Sequence, residues 1–187
     1  MRKKVLKVIG CVMIAQLFLY ACCGDDFNIF IKSFEFSAQD EADEDPTSVT
    51  NEDFFLEFTP TYQRDMASLL PVNSGFINTA YAAIDCFDEF TVIKYVETIE
   101  ITSNVALFDI PAGALLNDHI LVNYRYGSDV FTINDMILRL NASQADAEYS
   151  LRFDTEIPAE TTANFTFTIT FENDEQLMIT TEAVTIE

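Results

Sequence analysis

The chain has 187 residues, 49% of them apolar, with 31 acids, 10 bases and a formal charge of −21. Four of those bases fall in residues 1–21, which hold no acid, leaving 6 bases against 31 acids after residue 21 and a formal charge of −25. A charge of that sign excludes nucleic acid as a partner, because a phosphate backbone is held by Lys and Arg. The apolar share excludes a disordered acidic tail.

Met1–Lys7 is basic, and Val8–Tyr20 is an apolar run broken only by Gly10 and Gln16. As a helix the run would reach about 20 Å, short of a hydrocarbon core of about 30 Å. Basic, then apolar, then small residues is the layout of a secretory signal, expected over 1–21. Leu19-Tyr20-Ala21-Cys22 resembles the lipobox of bacterial lipoproteins, in which the signal is cut before a cysteine that then carries the acyl chains. Cys22-Cys23-Gly24-Asp25-Asp26 is similar to the acidic stretch behind the anchor cysteine of Bacteroidetes surface lipoproteins. The resemblance implies lipidation at Cys22, membrane lipid as a partner, an acidic tether over 22–26 and a place on the outer membrane, facing the cell surface or the periplasm. Several acyl chains hold firmly where one binds only marginally.

Of the four cysteines, Cys11 would leave with the signal and Cys22 would go to lipid, so Cys23 and Cys86 are natural disulfide partners in an oxidising compartment. Their bridge would close a loop contributing about 4 kcal/mol on the loop-entropy view. The other reading is a Cys86 that is simply a small buried hydrophobe beside an unpaired Cys23.

Along the remaining chain, Phe27–Phe36 predicts a strand whose parity slips near Lys32–Ser33, where a bulge is expected. Residues 37–52, rich in Asp and Glu, predict a mobile acidic loop. Phe54, Leu56 and Phe58 predict a short half-buried strand, and Gln63–Leu70 could form two helical turns before Pro71. Phe76–Cys86 is expected as a strand, and Val92–Thr102 as the strongest central one. Pro111-Ala112-Gly113 marks a turn, with Leu115–Val122 helical or extended after it. Thr132–Leu140 predicts the one helix, capped by Thr132 and Asp135, with Ile133, Met136, Ile137 and Leu140 on one face. Tyr149, Leu151 and Phe153 alternate with polar residues, as do Phe165, Phe167, Ile169 and Phe171. Leu177–Ile186 predicts the returning strand of a hairpin, with a bulge near Thr181–Glu182.

About seven strands, one short helix at 132–140 and no βαβ rhythm predict an all-β fold. The expected architecture is an antiparallel β-sandwich, immunoglobulin-like in its layers, forming a single domain over 27–187. The Cys-Cys start, mid-chain cysteine, Ile99–Asn104 strand leading to Phe108-Asp109, and helix before a closing hairpin resemble small Bacteroidetes lipoproteins in layout. That likeness implies no activity.

No G-x-S-x-G, H-E-x-x-H, Walker or C-x-x-C motif is present, so no catalytic residue, metal or cofactor is expected. Asp109, Asp118 and His119 are read as a surface turn and not as a metal site. Tyr124-Arg125-Tyr126 is the candidate ligand patch, two flat rings around a scarce base. The leading expectation is a non-enzymatic, lipid-anchored module that binds a protein or a glycan. A fimbrial or stalk-type subunit using strand-edge pairing is the alternative, and a small acidic hydrolase the third.

Overall fold

The computed structural model describes residues 26–40, 47–66, 89–142 and 147–187. Among them run twelve strands and one α-helix. In order these are β1 (Asp26–Gln39), β2 (Ser48–Val49), β3 (Phe55–Met66), β4 (Glu89–Val92), β5 (Val96–Ser103), β6 (Ile120–Tyr124), β7 (Val130–Phe131), helix α1 (Ile133–Leu140), β8 (Tyr149–Phe153), β9 (Thr161–Ala163), β10 (Phe165–Phe171), β11 (Gln176–Thr180) and β12 (Val184–Ile186). The chain divides into two compact units, one of Met1–Asn28 with Arg64–Thr91 and one of Ile29–Gln63 with Val92–Glu187. Within the first, Phe27 stacks on Phe90 at 5.7 Å and the Arg64 guanidinium lies 5.3 Å from the same ring.

The second unit is an all-β sandwich. The strands belong to three sheets, ordered β4-β1-β3-β8-β6-β7, β11-β10-β5 and β2-β12-β9, with Glu89–Thr91 of β4 and Asp26–Asn28 of β1 in the first unit. The pairings described are antiparallel except that between β2 and β12. Alternation builds the layers. Phe165, Phe167, Ile169 and Phe171 of β10 are buried and their threonine neighbours are partly exposed, as the pattern predicts. Phe167 meets Phe34 at 5.3 Å, Phe36 at 5.0 Å and Phe58 at 4.6 Å, so the β10 layer faces the β1–β3 layer through a phenylalanine stack.

The parity slip in β1 is present. Ile29 and Ile31 are buried, Lys32 and Ser33 are both exposed, and Phe34, Phe36 and Ala38 are buried again. Helix α1 forms where predicted. The Thr132 hydroxyl accepts from the Asp135 N–H at 3.2 Å, and the Asp135 carboxylate accepts from the Thr132 N–H at 3.2 Å. Ile133, Met136 and Leu140 are buried, and the helix packs on β5 and β6. Gly113 takes φ +79° in the Pro111 turn, a value a Cβ would oppose.

Four expectations need correction, and a fifth is refined. The acidic segment is shorter than 37–52, since Ser37–Gln39 continue β1 and Ser48–Val49 form β2 beside β12. The helical reading from Gln63 fails at its start, because β3 runs unbroken through the buried Pro60 to Met66. Val92–Thr102 is two strands parted at Ile93–Tyr95, and β5 ends a sheet instead of lying at its centre. Leu115–Val122, expected as helical or extended, takes both forms in turn, a 3₁₀ turn at Asn117–His119 leading into β6. Leu177–Ile186 is likewise not one bulged strand: β11 pairs with β10, and after Thr181 the chain crosses to another sheet as β12. The predicted strand at Phe76–Cys86 lies outside the described residues.

Candidate functional site

Tyr124, Arg125 and Tyr126 sit at the end of β6 and in the turn closed by the Gly127 N–H donating to the Tyr124 carbonyl at 2.9 Å. The three side chains part company. Tyr124 turns inward, its ring 5.4 Å from Phe131 and 5.4 Å from Tyr149, and its hydroxyl accepts from Arg139 Nη1 at 2.8 Å. Arg125 is nearly buried: Nη1 lies 2.7 Å from Glu57 Oε1, and the guanidinium is 5.2 Å from the Phe55 ring centre. Arg152 lies 5.1 Å from the same ring and donates to the Glu52 carbonyl at 3.2 Å. Only Tyr126, 86% exposed, is an open ring. The predicted patch is therefore one free tyrosine beside a spent cation. Burial also pushes the Tyr149 hydroxyl well above the usual tyrosine range.

The other candidates are quickly placed. His119 Nδ1 lies 3.3 Å from Asp154 Oδ1, and its ring stacks on Phe108 at 4.9 Å. Phe108 and Asp109 take φ of 54° and 64° in a two-residue turn that Leu107 and Ile110 close with reciprocal hydrogen bonds. Among the described residues no group of three or more His, Cys, Asp or Glu could hold a metal. Cys22, Cys23 and Cys86 lie outside the described residues, as does the signal segment.

Sequence reasoning missed the contrast between the two edges of the sheet β11-β10-β5. On β5 the open side is closed. Asn117 donates from Nδ2 to the Ile99 carbonyl at 2.6 Å, and its Oδ1 accepts from the Ile101 N–H at 3.0 Å. Asn141 does the same at Val96, at 2.9 and 2.8 Å. The Leu116 and Gly113 N–H groups, each at 2.8 Å, take the Ile101 and Ser103 carbonyls. Two side-chain amides and two backbone donors thus imitate a missing neighbour strand.

Among the described residues, strand β11 has no such cover. The Phe171 N–H donates to Glu175 O at 2.9 Å and the Thr181 N–H to Phe165 O at 2.9 Å, which fixes the hydrogen-bonded parity of the hairpin. Leu177 and Ile179 therefore turn their backbone groups toward β10, while those of Gln176, Met178 and Thr180 point away from it. No described residue meets them. The strand carries no charge, no proline and no bulge, and Met178 is 68% exposed. The terminal strands β2, β4, β7 and β9 offer two, four, two and three residues, against five here. The run Gln-Leu-Met-Ile-Thr, neutral in so acidic a chain, was the available signal. No protein-family model matches the chain, and no curated protein or solved structure matches it.

Proposed function

We propose that this chain is a non-enzymatic surface module, anchored in the outer membrane through an acylated Cys22, that holds a protein partner by strand pairing along β11. The uncovered edge of β11, in the same sheet whose β5 edge is closed by Asn117 and Asn141, is the observation that carries the binding reading. The anchor rests on Leu19-Tyr20-Ala21-Cys22, and among the described residues no helix is long and apolar enough to cross a membrane. A Cys23–Cys86 bridge would fasten the domain beside its lipid.

A second reading, a glycan held on a tyrosine face, is favoured by the exposure of Tyr126. One comparison separates the two: capture from intact outer membranes with the full chain, Met178→Pro and Tyr126→Ala. The N–H of Met178 points away from β10, so proline there blocks the edge without removing a hydrogen bond of the hairpin. A protein captured by the wild type and Tyr126→Ala but not by Met178→Pro is the expected result. Equal capture by all three refutes strand pairing. Mass spectrometry of the mature N-terminus tests the anchor, and an intact leader or an unlipidated Cys22 refutes it.

A further inference from the structure

We infer that the segment received by β11 is an extended strand of another protein, alternating apolar with polar residues over about five positions and bearing Lys or Arg at both ends. The inference rests on the strand-pairing reading above and adds the chemistry of the partner.

Two features of the edge set that chemistry. The first is its two faces. Leu177 and Ile179 lie against the core yet remain partly exposed, so the apolar layer of the sandwich is unfinished at this side. On the opposite face Gln176 Nε2 donates to Thr170 Oγ1 at 3.0 Å, and the Thr180 and Thr166 hydroxyls meet at 2.8 Å. A strand laid against β11 continues both faces, so its side chains must be apolar beside Leu177 and Ile179 and hydroxyl-like beside Gln176 and Thr180. The N–H and C=O groups of Gln176, Met178 and Thr180 supply the ladder.

The second feature is the charge at the two ends. Glu172 and Asp174 stand exposed at the hairpin turn and Glu182 stands exposed past the other end, and none has an ion pair among the described residues. The nearby Lys94 is already held 2.7 Å from Glu175 and 3.9 Å from the centre of the Phe171 ring. A neutral strand framed by open carboxylates selects an occupant with basic ends. A second copy is the wrong occupant. Antiparallel pairing about Met178 would set Asp174 of one copy opposite Glu182 of the other, within a pair of chains of −21 each.

The test measures binding of a fluorescent peptide, Lys-Lys-Thr-Val-Thr-Val-Thr-Lys-Lys, to the full chain by anisotropy. Three comparisons accompany it: the peptide with glutamates for its lysines, the peptide N-methylated at alternate central residues, and the variant Met178→Pro. Binding to the wild type is expected, weakened at least tenfold in each comparison and several-fold in Asp174→Asn with Glu182→Gln. Absence of binding to the wild type overturns the inference. Equal binding of the glutamate peptide overturns the charge selection while leaving strand pairing intact. Undiminished binding of the N-methylated peptide shows attraction by charge alone and overturns both, and it does so even if Met178→Pro fails to fold. A wild-type dimer by sedimentation that Met178→Pro abolishes names a second copy as the occupant and overturns the choice of partner.

Discussion

Replacing Asn117 by alanine tests whether a side chain can stand in for a strand. The amide of Asn117 satisfies the Ile99 carbonyl at 2.6 Å and the Ile101 N–H at 3.0 Å, both part-buried. Orphaning a buried polar group costs about 1–3 kcal/mol, and partial access to water places each of these two in the lower half of that range. The expected loss is therefore about 2–4 kcal/mol, a large share of the roughly 5–15 kcal/mol that holds a domain folded. Urea denaturation followed by circular dichroism should show a lower midpoint with an unchanged slope. Asn117→Asp makes the test directional. At neutral pH its carboxylate still accepts from Ile101 but confronts the Ile99 carbonyl with no donor, so it should be at least as damaging as alanine. Acidification returns a proton to that oxygen and should recover part of the loss relative to the alanine variant. Stripping the cover from β5 also exposes a second free edge, so both variants should self-associate more than the wild type. A loss below about 0.5 kcal/mol, too small for an orphaned buried group, would refute the reasoning.

Other outcomes follow from the same structure. Phe167→Ala removes a fully buried ring that touches Phe34, Phe36 and Phe58, and should cost about 3–5 kcal/mol in the same denaturation assay. Thr132→Ala should cost about 1 kcal/mol by removing the helix cap. The backbone and side-chain hydrogen bonds of Thr132 hold the Asp135 carboxyl below its ordinary range. Its stabilising contribution is thus present above the unfolded value and lost as pH falls through the folded one, so the gap between wild type and variant should narrow in acid without closing, because the hydroxyl's acceptance from the Asp135 N–H does not titrate. Burial raises the Tyr149 hydroxyl, so ultraviolet titration should show this tyrosine keeping its proton above the ordinary tyrosine range until the fold is lost. As an acid favoured in its neutral form, Tyr149 stabilises the fold fully below the unfolded tyrosine value, and that contribution falls away as pH climbs past it.

Where one local rule decides the outcome, the sequence is a good guide. The aromatic-threonine alternation of β10, the i, i+3, i+4, i+7 stripe of α1 and its Thr132–Asp135 cap are of this kind. So is the slip at Lys32–Ser33. The same signal misleads after Ile179. A change of parity describes a bulge and a change of sheet equally well, and what selects the crossing is tertiary: the Phe165 N–H donating to Thr181 Oγ1 and the Asn164 amide donating to Thr181 O, both at 3.0 Å. The tyrosine patch fails for a related reason. Nothing near Tyr124 announces that Arg139, on the following helix, will cover its ring and take its hydroxyl. Edges are hardest of all, because Asn117 and Asn141 are ordinary turn and helix-end residues until the fold sets them beside β5.

The few cations among the described residues are used in an unusual way. Arg64, Lys94, Arg125, Arg139 and Arg152 each lie over a phenylalanine or tyrosine ring, leaving Lys32 as the one Lys or Arg of the described residues with no such contact. A trypsin-like protease must draw a Lys or Arg side chain fully into its specificity pocket, and here that means first prising the residue off an aromatic neighbour. Among the described residues, digestion should therefore begin at the exposed Lys32 and be slow at the other five basic positions.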